Sequence, residues 1–152
     1  MEQLILTVIL TSVPLIFAAS GELIAERSGV LNLGVEGMML MGAVSAFAIA
    51  MGTGSPILGM FAGAFAGALT AGIFAFFTLG LATNQVATGL ALTIFGTGLS
   101  GLIGAPLVGH AIDGLPQIHI PLLADIPVLG MLLFQHDIMV YLAVVMVGLC
   151  AW

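Results

Sequence analysis

The stretch from Gly37 to Ile112 contains no Asp, Glu, Lys or Arg. A soluble domain needs a charged or polar surface, and about a quarter of its residues are charged. In this chain of 152 residues the charged fraction is 5% and the hydrophobic fraction is 61%. Lipid suits such a stretch, because a helix satisfies its own main-chain hydrogen bonds and presents apolar side chains to hydrocarbon. The chain is therefore predicted to be an all-α membrane protein, a polytopic bundle of transmembrane helices.

The apolar segments divide into about five spans, since a helix needs about 20 apolar residues to cross the hydrocarbon core. Polar residues, Gly and Pro mark the joints between them. The last segment is apolar up to Trp152 and provides only about 15 residues, so the sequence is interpreted as the N-terminal fragment of a longer transmembrane domain. The spans are predicted at about 4–19, 33–51, 57–81, 86–103 and 138–152, with a long loop at about 105–136.

The few ionisable residues indicate an orientation and exclude two kinds of site. Lys and Arg gather in cytoplasmic loops, so Arg27 predicts that its own segment is cytoplasmic and that the 105–136 loop is external. One basic residue offers no electrostatic surface for nucleic acid. His and Asp residues in and beside the loop match no compact ligand spacing, so no metal site is predicted from them: His110, Asp113, His119, Asp125, His136 and Asp137.

Glycines recur at helical spacing in the third predicted span. Gly59, Gly63 and Gly67 are four residues apart and share one helix face. Small residues on such a face let a neighbouring helix approach closely, so these three are predicted to be helix-packing residues. The pattern Gly-x-Gly-x-x-Gly at 96–101 lies within another apolar span and lacks the preceding strand of a dinucleotide site, which excludes that interpretation.

The joint at 20–37 combines glycines with charged and amide side chains. Irregular backbone at membrane depth is tolerated where it lines a cavity or is buried in protein, so a broken or re-entrant helix is one interpretation. Glu36 lies just inside the second span, and an intramembrane carboxylate suggests a functional site. The alternative is an interfacial loop in which Glu36 begins a helix, where the helix dipole favours an acid.

A second polar group begins the fourth span. Asn84 and Gln85 supply both donors and acceptors, and Thr88 follows one turn later. Such side chains suit a neutral polyhydroxyl ligand or a nucleobase. Helix capping by Thr83 or Asn84 is the alternative interpretation.

Two motifs carry a resemblance to a known family. The segment Glu26-Arg-Ser-Gly-Val-Leu-Asn-Leu-Gly-Val-Glu-Gly-Met-Met-Leu-Met-Gly-Ala43 resembles a signature of ABC importer permeases of the nucleoside and simple-sugar branch, within the group that includes ribose and branched-chain amino-acid permeases. Asn84-Gln-Val-Ala-Thr-Gly-Leu-Ala-Leu-Thr-Ile-Phe-Gly96 resembles a second stretch of that branch. The likeness covers about residues 12–104.

The resemblance implies a multi-pass subunit of about twice this length in the cell membrane of a prokaryote. It implies a second permease subunit, two ATP-binding subunits that hold ATP and Mg²⁺, and a solute-binding protein, with no cofactor and no catalytic residue in this chain. Residues within the matched motifs are expected to line or shape the translocation pathway: Asn32, Glu36, Asn84, Gln85 and Thr88.

Two other functions remain open from the sequence. One is a branched-chain amino-acid ABC permease. The other is an ion- or proton-coupled secondary transporter, whose inverted repeats often contain paired broken helices. One candidate break is present, at 20–37, and no counterpart to it is evident.

Overall fold

The computed structural model describes residues 2–112, 114 and 138–151, and none of these residues lies in a strand. A π-helical turn, Phe76–Gly80, prolongs the third helix, and a 3-10 turn, Ala105–Leu107, follows the fourth. The prediction of an all-α protein is confirmed. The helices are α1 (Glu2–Arg27), α2 (Val35–Thr53), α3 (Pro56–Ala75), α4 (Gln85–Gly104) and α5 (Ile138–Ala151).

Among the described residues, four helical segments are long and apolar enough to cross a membrane, and α5 is a shorter apolar helix of 14 residues. Large apolar side chains cover their outer surfaces. Ile94 and Leu102 are each 74% exposed, and Phe65 is 66% exposed. Apolar area on this scale is costly in water and suits hydrocarbon. The chain is therefore a multi-pass membrane protein. The four segments are Thr7–Arg27, Val35–Thr53, Pro56–Gly80 and Gln85–Leu107.

The chain divides into two compact units. The first comprises Met1–Ile24 with Leu115–Trp152, and the second is Ala25–Gly114. In the described part of the first unit, Val13 and Ser20 of α1 and Ala143 of α5 are buried. Cys150 Sγ lies 4.0 Å from the Ser20 carbonyl oxygen, so this lone cysteine is a packed residue of α5. The polar residues of interest all belong to the second unit.

Helix α1 extends through Arg27, beyond the predicted boundary at residue 19. Good helix formers occupy most of 22–27, which favours continuation. The helix ends where Gly29 adopts a φ of +81°, with the Gly29 N–H donating to the Glu26 carbonyl oxygen and the Val30 N–H to that of Ala25. This pair of bonds is a Schellman motif, which glycine favours because the left-handed conformation carries no Cβ penalty. The irregular backbone is thus confined to 28–34, here called the α1–α2 connection.

Helices α2 and α3 form an antiparallel pair joined by a tight turn. Gly54 ends α2 with a φ of +67°, and Ser55 caps α3 by accepting a hydrogen bond from the Leu58 N–H. A Cβ built on Gly59 would lie 2.6 Å from the Ala46 carbonyl oxygen, and one on Gly63 would lie 2.9 Å from that of Gly42. The glycine row therefore lets α2 and α3 approach nearly backbone to backbone.

The third glycine of that row packs less closely. A Cβ on Gly67 would meet only the Met38 carbonyl oxygen, at 4.0 Å, which is ordinary van der Waals contact. At this level α2, α3 and α4 meet instead through a small core of larger side chains. Met38, Phe74 and Leu92 are buried there, with Val30 and Ala71 packed against them.

Helices α2 and α4 have their own glycine contact. A Cβ on Gly37 would lie 2.5 Å from the Leu92 carbonyl oxygen, and one on Gly96 would lie 2.6 Å from Gly37 Cα. Both glycines are buried. Gly96 belongs to the Gly-x-Gly-x-x-Gly pattern, whose first glycine thus has a packing role in the fold. The second unit is therefore arranged around α2, which contacts α3 on one face and α4 on another.

Candidate functional site

The α1–α2 connection lies along one face of α4. Gln85 Oε1 accepts a hydrogen bond of 2.7 Å from the Leu31 N–H, and the Thr93 hydroxyl donates one of 2.9 Å to the Leu33 carbonyl oxygen. Between them, a Cβ on Gly89 would lie 2.9 Å from the Leu33 nitrogen. Residues 85, 89 and 93 are four apart, so they share a helix face. The main chain of the connection therefore rests directly on α4.

Asn32 forms the turn that begins α2. Its Oδ1 accepts a hydrogen bond of 3.0 Å from the Gly34 N–H, two residues along the chain, and its Nδ2 lies 3.6 Å from Met38 Sδ. This is an Asx turn, a conformation that asparagine supports because its short side chain can bond the local main chain. Asn32 is half-buried, and its side chain fixes the direction in which the chain enters α2.

Glu36 lies in the first turn of α2 and is exposed. The residues that follow it, Gly37 and Met38, are buried against α4 and the core. A carboxylate in the first turn is favoured by the partial positive charge of the helix N-terminus. The geometry is therefore compatible with both interpretations of Glu36, as a helix-start acid and as an accessible polar group of a pathway.

Asn84 caps α4. Its Oδ1 accepts a hydrogen bond of 3.0 Å from the Ala87 N–H, and its carbonyl oxygen accepts the Thr88 hydroxyl at 2.9 Å. The Thr83 hydroxyl donates to the Phe77 carbonyl oxygen and lies 2.9 Å from the Thr88 hydroxyl. Each hydroxyl has one proton and two acceptor lone pairs. Asn84 thus serves as the helix cap that one interpretation expected, and Thr88 belongs to the same hydrogen-bonded group.

Thr88 also lines an apolar groove of about 510 Å³ between α3, its π-helical extension and α4, here called the α3–α4 groove. A volume of this size is within the range of pockets for small molecules. Of the eight described residues that line it, Thr88 alone has a polar side chain. The lining is Ile73, Phe74, Phe77, Ala87, Thr88, Ala91, Leu92 and Phe95.

The five residues expected at the pathway therefore fall into three places. Gln85 and Asn32 each bond a main-chain N–H of the α1–α2 connection. Asn84 and Thr88 lie together at the start of α4, and Glu36 lies in the first turn of α2. Sequence reasoning missed Thr93, which bonds the connection. Its spacing of eight residues from Gln85, with Gly89 midway, is the signal that could have found it.

Five of the six ionisable residues considered as metal ligands lie outside the described residues: Asp113, His119, Asp125, His136 and Asp137. His110 is described and exposed, and its main-chain N–H donates to the Leu107 carbonyl oxygen at 3.3 Å. Within the described ranges, no three His, Cys, Asp or Glu residues lie close enough together to hold a metal ion.

The helices pack through glycine, their outer surfaces are apolar, and polar groups lie at the helix starts. These features define an integral membrane protein. A family model described as the permease component of the branched-chain amino acid transport system matches residues 4–152. The chain belongs to this family of permeases, and the resemblance carried by its two motifs is confirmed.

The curated relatives include proteins named as ABC transporter permeases. A putative glucose permease of Haloferax volcanii is 42% identical over 137 residues, covering 88% of this chain and 42% of that protein. A guanosine permease of Bacillus subtilis is 32% identical over 150 residues, covering 91% of this chain and 47% of that permease. A nucleoside permease of Lactococcus lactis subsp. cremoris is 28% identical over 162 aligned positions, covering 100% of this chain and 51% of that permease.

The chain thus spans about half the length of these relatives. No solved structure matches it.

Proposed function

We propose that this chain forms part of the membrane-spanning permease subunit of an ATP-driven ABC importer, with a nucleoside or a simple sugar as the solute. The observation that carries the proposal is the family match across residues 4–152. The names of the relatives, which specify glucose, guanosine and nucleosides, support the solute class. The family's description names branched-chain amino acids, and these are therefore the second candidate solute.

The proposed partners follow from this assignment. Two ATP-binding subunits bind ATP and Mg²⁺ and hydrolyse the nucleotide, a second permease subunit completes the pathway, and a solute-binding protein delivers the solute. The complex resides in the cell membrane of a prokaryote. This chain contributes spans and polar groups to the pathway and has no catalytic role.

Affinity purification of the natural protein in mild detergent tests this assignment. We expect a polypeptide with ATPase activity to co-purify, and that activity to rise when the solute-binding protein and its solute are added. Cellular uptake of labelled nucleoside or sugar should stop when ATP is depleted and should continue when the proton gradient alone is collapsed. Uptake that stops with the proton gradient, from a protein that brings down no ATPase, would instead indicate a secondary transporter. Uptake of leucine alone would replace the proposed solute class.

We further propose that the five polar residues of the matched motifs line or shape the pathway in two ways. Glu36 is exposed and Thr88 lines the α3–α4 groove, so these two are positioned to contact a solute or the water around it. Asn32 and Asn84 bond the local main chain, and Gln85 bonds the main chain of the α1–α2 connection. These three therefore shape the pathway by fixing the backbone at the helix starts around it.

Replacement of Thr88 by valine is expected to raise the KM for uptake about five- to tenfold, because one hydrogen bond to the solute is lost at nearly constant shape. Glu36→Gln keeps the size of the side chain and removes its charge, and is expected to reduce uptake to a similar degree. Initial rates of labelled solute uptake, over a range of concentrations, measure both effects.

Thr97→Val is the matched control for Thr88→Val. Thr97 lies on the same helix, is exposed, and donates to the Thr93 carbonyl oxygen within α4. Its replacement should leave KM unchanged, and immunoblots of membranes should show equal insertion of every variant. Equal KM values for the Thr88 and Thr97 variants would remove Thr88 from the pathway.

A further inference from the structure

We infer that Gln85 and Thr93 are positioning residues that hold the α1–α2 connection on α4 and thereby set the position of the first turn of α2. This inference rests on the proposed function for its consequence in transport, but its structural part can be tested without transport. It concerns Thr93 and the main chain of Leu31 and Leu33, which neither the sequence motifs nor the relatives assign to any role.

The physical need for such a hold comes from the irregular backbone of the connection. Residues 28–34 lie outside the helices, so their N–H and C=O groups have no complete helical ladder. Near hydrocarbon, an unsatisfied main-chain group is destabilising, because no water is there to replace the missing partner. The Leu31 N–H and the Leu33 carbonyl oxygen are satisfied by side chains of α4, one acting as acceptor and the other as donor.

The two hydrogen bonds act together with a close approach of the main chains. Gly89 lies midway between Gln85 and Thr93, and a Cβ there would lie 2.9 Å from the Leu33 nitrogen and 3.0 Å from the Gly34 nitrogen. A side chain at this position would push the connection away and lengthen both hydrogen bonds. The absence of a side chain at Gly89 is therefore a condition of the arrangement.

The hold is continuous with the start of α2. Leu33 lies within the turn closed by Asn32 and Gly34, and α2 begins at the next residue, Val35. Gly37, in the first turn of α2, then contacts Gly96 of α4. Residues 31–37 are thus attached to α4 at successive points along its length. Glu36 lies within this attached stretch. Its position relative to α4 therefore depends on the two hydrogen bonds and on the contact between Gly37 and Gly96.

Hydrogen–deuterium exchange of the natural protein in detergent tests the hold directly. Gln85→Leu removes the acceptor and Thr93→Val removes the donor at nearly constant shape. Each is expected to speed exchange of the Leu31–Gly34 amides about tenfold, since one lost hydrogen bond changes a local opening equilibrium by about that factor. Gln85→Glu keeps an acceptor oxygen and Thr93→Ser keeps the hydroxyl, so both should restore slow exchange.

Thr97→Val is again the matched control, because the Thr97 hydroxyl bonds within its own helix. In the Thr97→Val variant, the amides of residues 31–34 should exchange at the same rate as in the unchanged protein. Unaltered exchange in Gln85→Leu and Thr93→Val would overturn the inference.

Uptake measurements test the positioning role. Thr93→Val is expected to lower the maximal uptake rate about fivefold or more, with Thr93→Ser restoring it. Faster exchange with unchanged uptake would overturn the positioning role. Failure of the unchanged protein to take up nucleoside, sugar or amino acid would overturn the proposed function, while the exchange result would still decide whether the connection is held.

Discussion

Gly96→Ala is expected to be among the most destabilising single-methyl changes in this chain. The added Cβ would lie 2.6 Å from Gly37 Cα and 2.7 Å from the Gly37 carbonyl oxygen, and both are backbone atoms that cannot move by a side-chain rotation. Relief requires α2 and α4 to separate, which also disturbs the core around Leu92. Overpacking of this kind costs about 1–3 kcal/mol, and we expect a value in the upper half of that range.

Thermal unfolding of the natural protein in detergent measures the effect, with Gly98→Ala as the control. Gly98 lies on the same helix, is exposed, and has no heavy atom within 4 Å of its would-be Cβ. Its replacement should be neutral or stabilising by up to about 1 kcal/mol, because alanine favours the helix over glycine. Gly96→Ala should thus lower Tm, while Gly98→Ala should raise Tm or leave it unchanged. Equal shifts would contradict the close approach of α2 and α4.

The double variant Gly37→Ala/Gly96→Ala sharpens this prediction. Both Cβ atoms would enter the same contact, so a separation forced by one substitution makes room for the other. The combined loss of stability should be clearly smaller than the sum of the single losses. An additive result would indicate that the two glycines act at independent places.

Gly59→Ala is the second change with a large expected effect. Its Cβ would lie 2.6 Å from the Ala46 carbonyl oxygen and 2.7 Å from Ala50 Cβ, two groups that are fixed to the α2 backbone. We expect a loss of about 2 kcal/mol from the forced separation of α2 and α3. Thermal unfolding again measures it, and Gly72→Ala on the same helix is the control, since nothing lies within 4 Å of its would-be Cβ.

The glycine row should show graded sensitivity. The nearest neighbour of a built Cβ is 2.6 Å away at Gly59, 2.9 Å at Gly63 and 4.0 Å at Gly67. Alanine should therefore be most harmful at Gly59, less so at Gly63, and neutral or slightly stabilising at Gly67, where the gain in helix propensity is not opposed by a clash. The same loss at all three positions would mean that α2 and α3 are equally close along the whole glycine row, contrary to the structure.

The α1–α2 boundary shows how far local sequence signals extend. Ser28 and Gly29 mark the end of α1, and the Schellman bonds at Ala25 and Glu26 form there. The sequence indicated a break somewhere in 20–37 but could not confine it, because charged residues such as Glu22 and Arg27 suit both a helix end and an interfacial loop. The hydrogen bonds of the folded backbone decide between a helix and a loop at these residues, and the sequence alone does not show which bonds form.

The capping role of Asn84 could be predicted in kind, since asparagine before an apolar run is a common helix start. The second role of its neighbours could not. Thr83 and Thr88 lie five residues apart, on either side of the cap, and their hydroxyls are 2.9 Å apart. The Thr83 hydroxyl also bonds Phe77, in the π-helical turn that follows α3. Nothing in the local pattern specifies that turn, so the shape of the α3–α4 groove was also beyond the sequence.

The sequence by itself determined the solvent and the class of protein. A stretch without charge from Gly37 to Ile112 can be stable only in hydrocarbon, whatever its neighbours, because this requirement depends on composition. The tertiary structure alone decided which small and polar residues meet. Gly37 touches Gly96 across 59 residues of chain, and Thr93 bonds Leu33 across 60. Such pairs depend on how the helices are placed against one another, and many glycine and threonine positions satisfy the same local pattern.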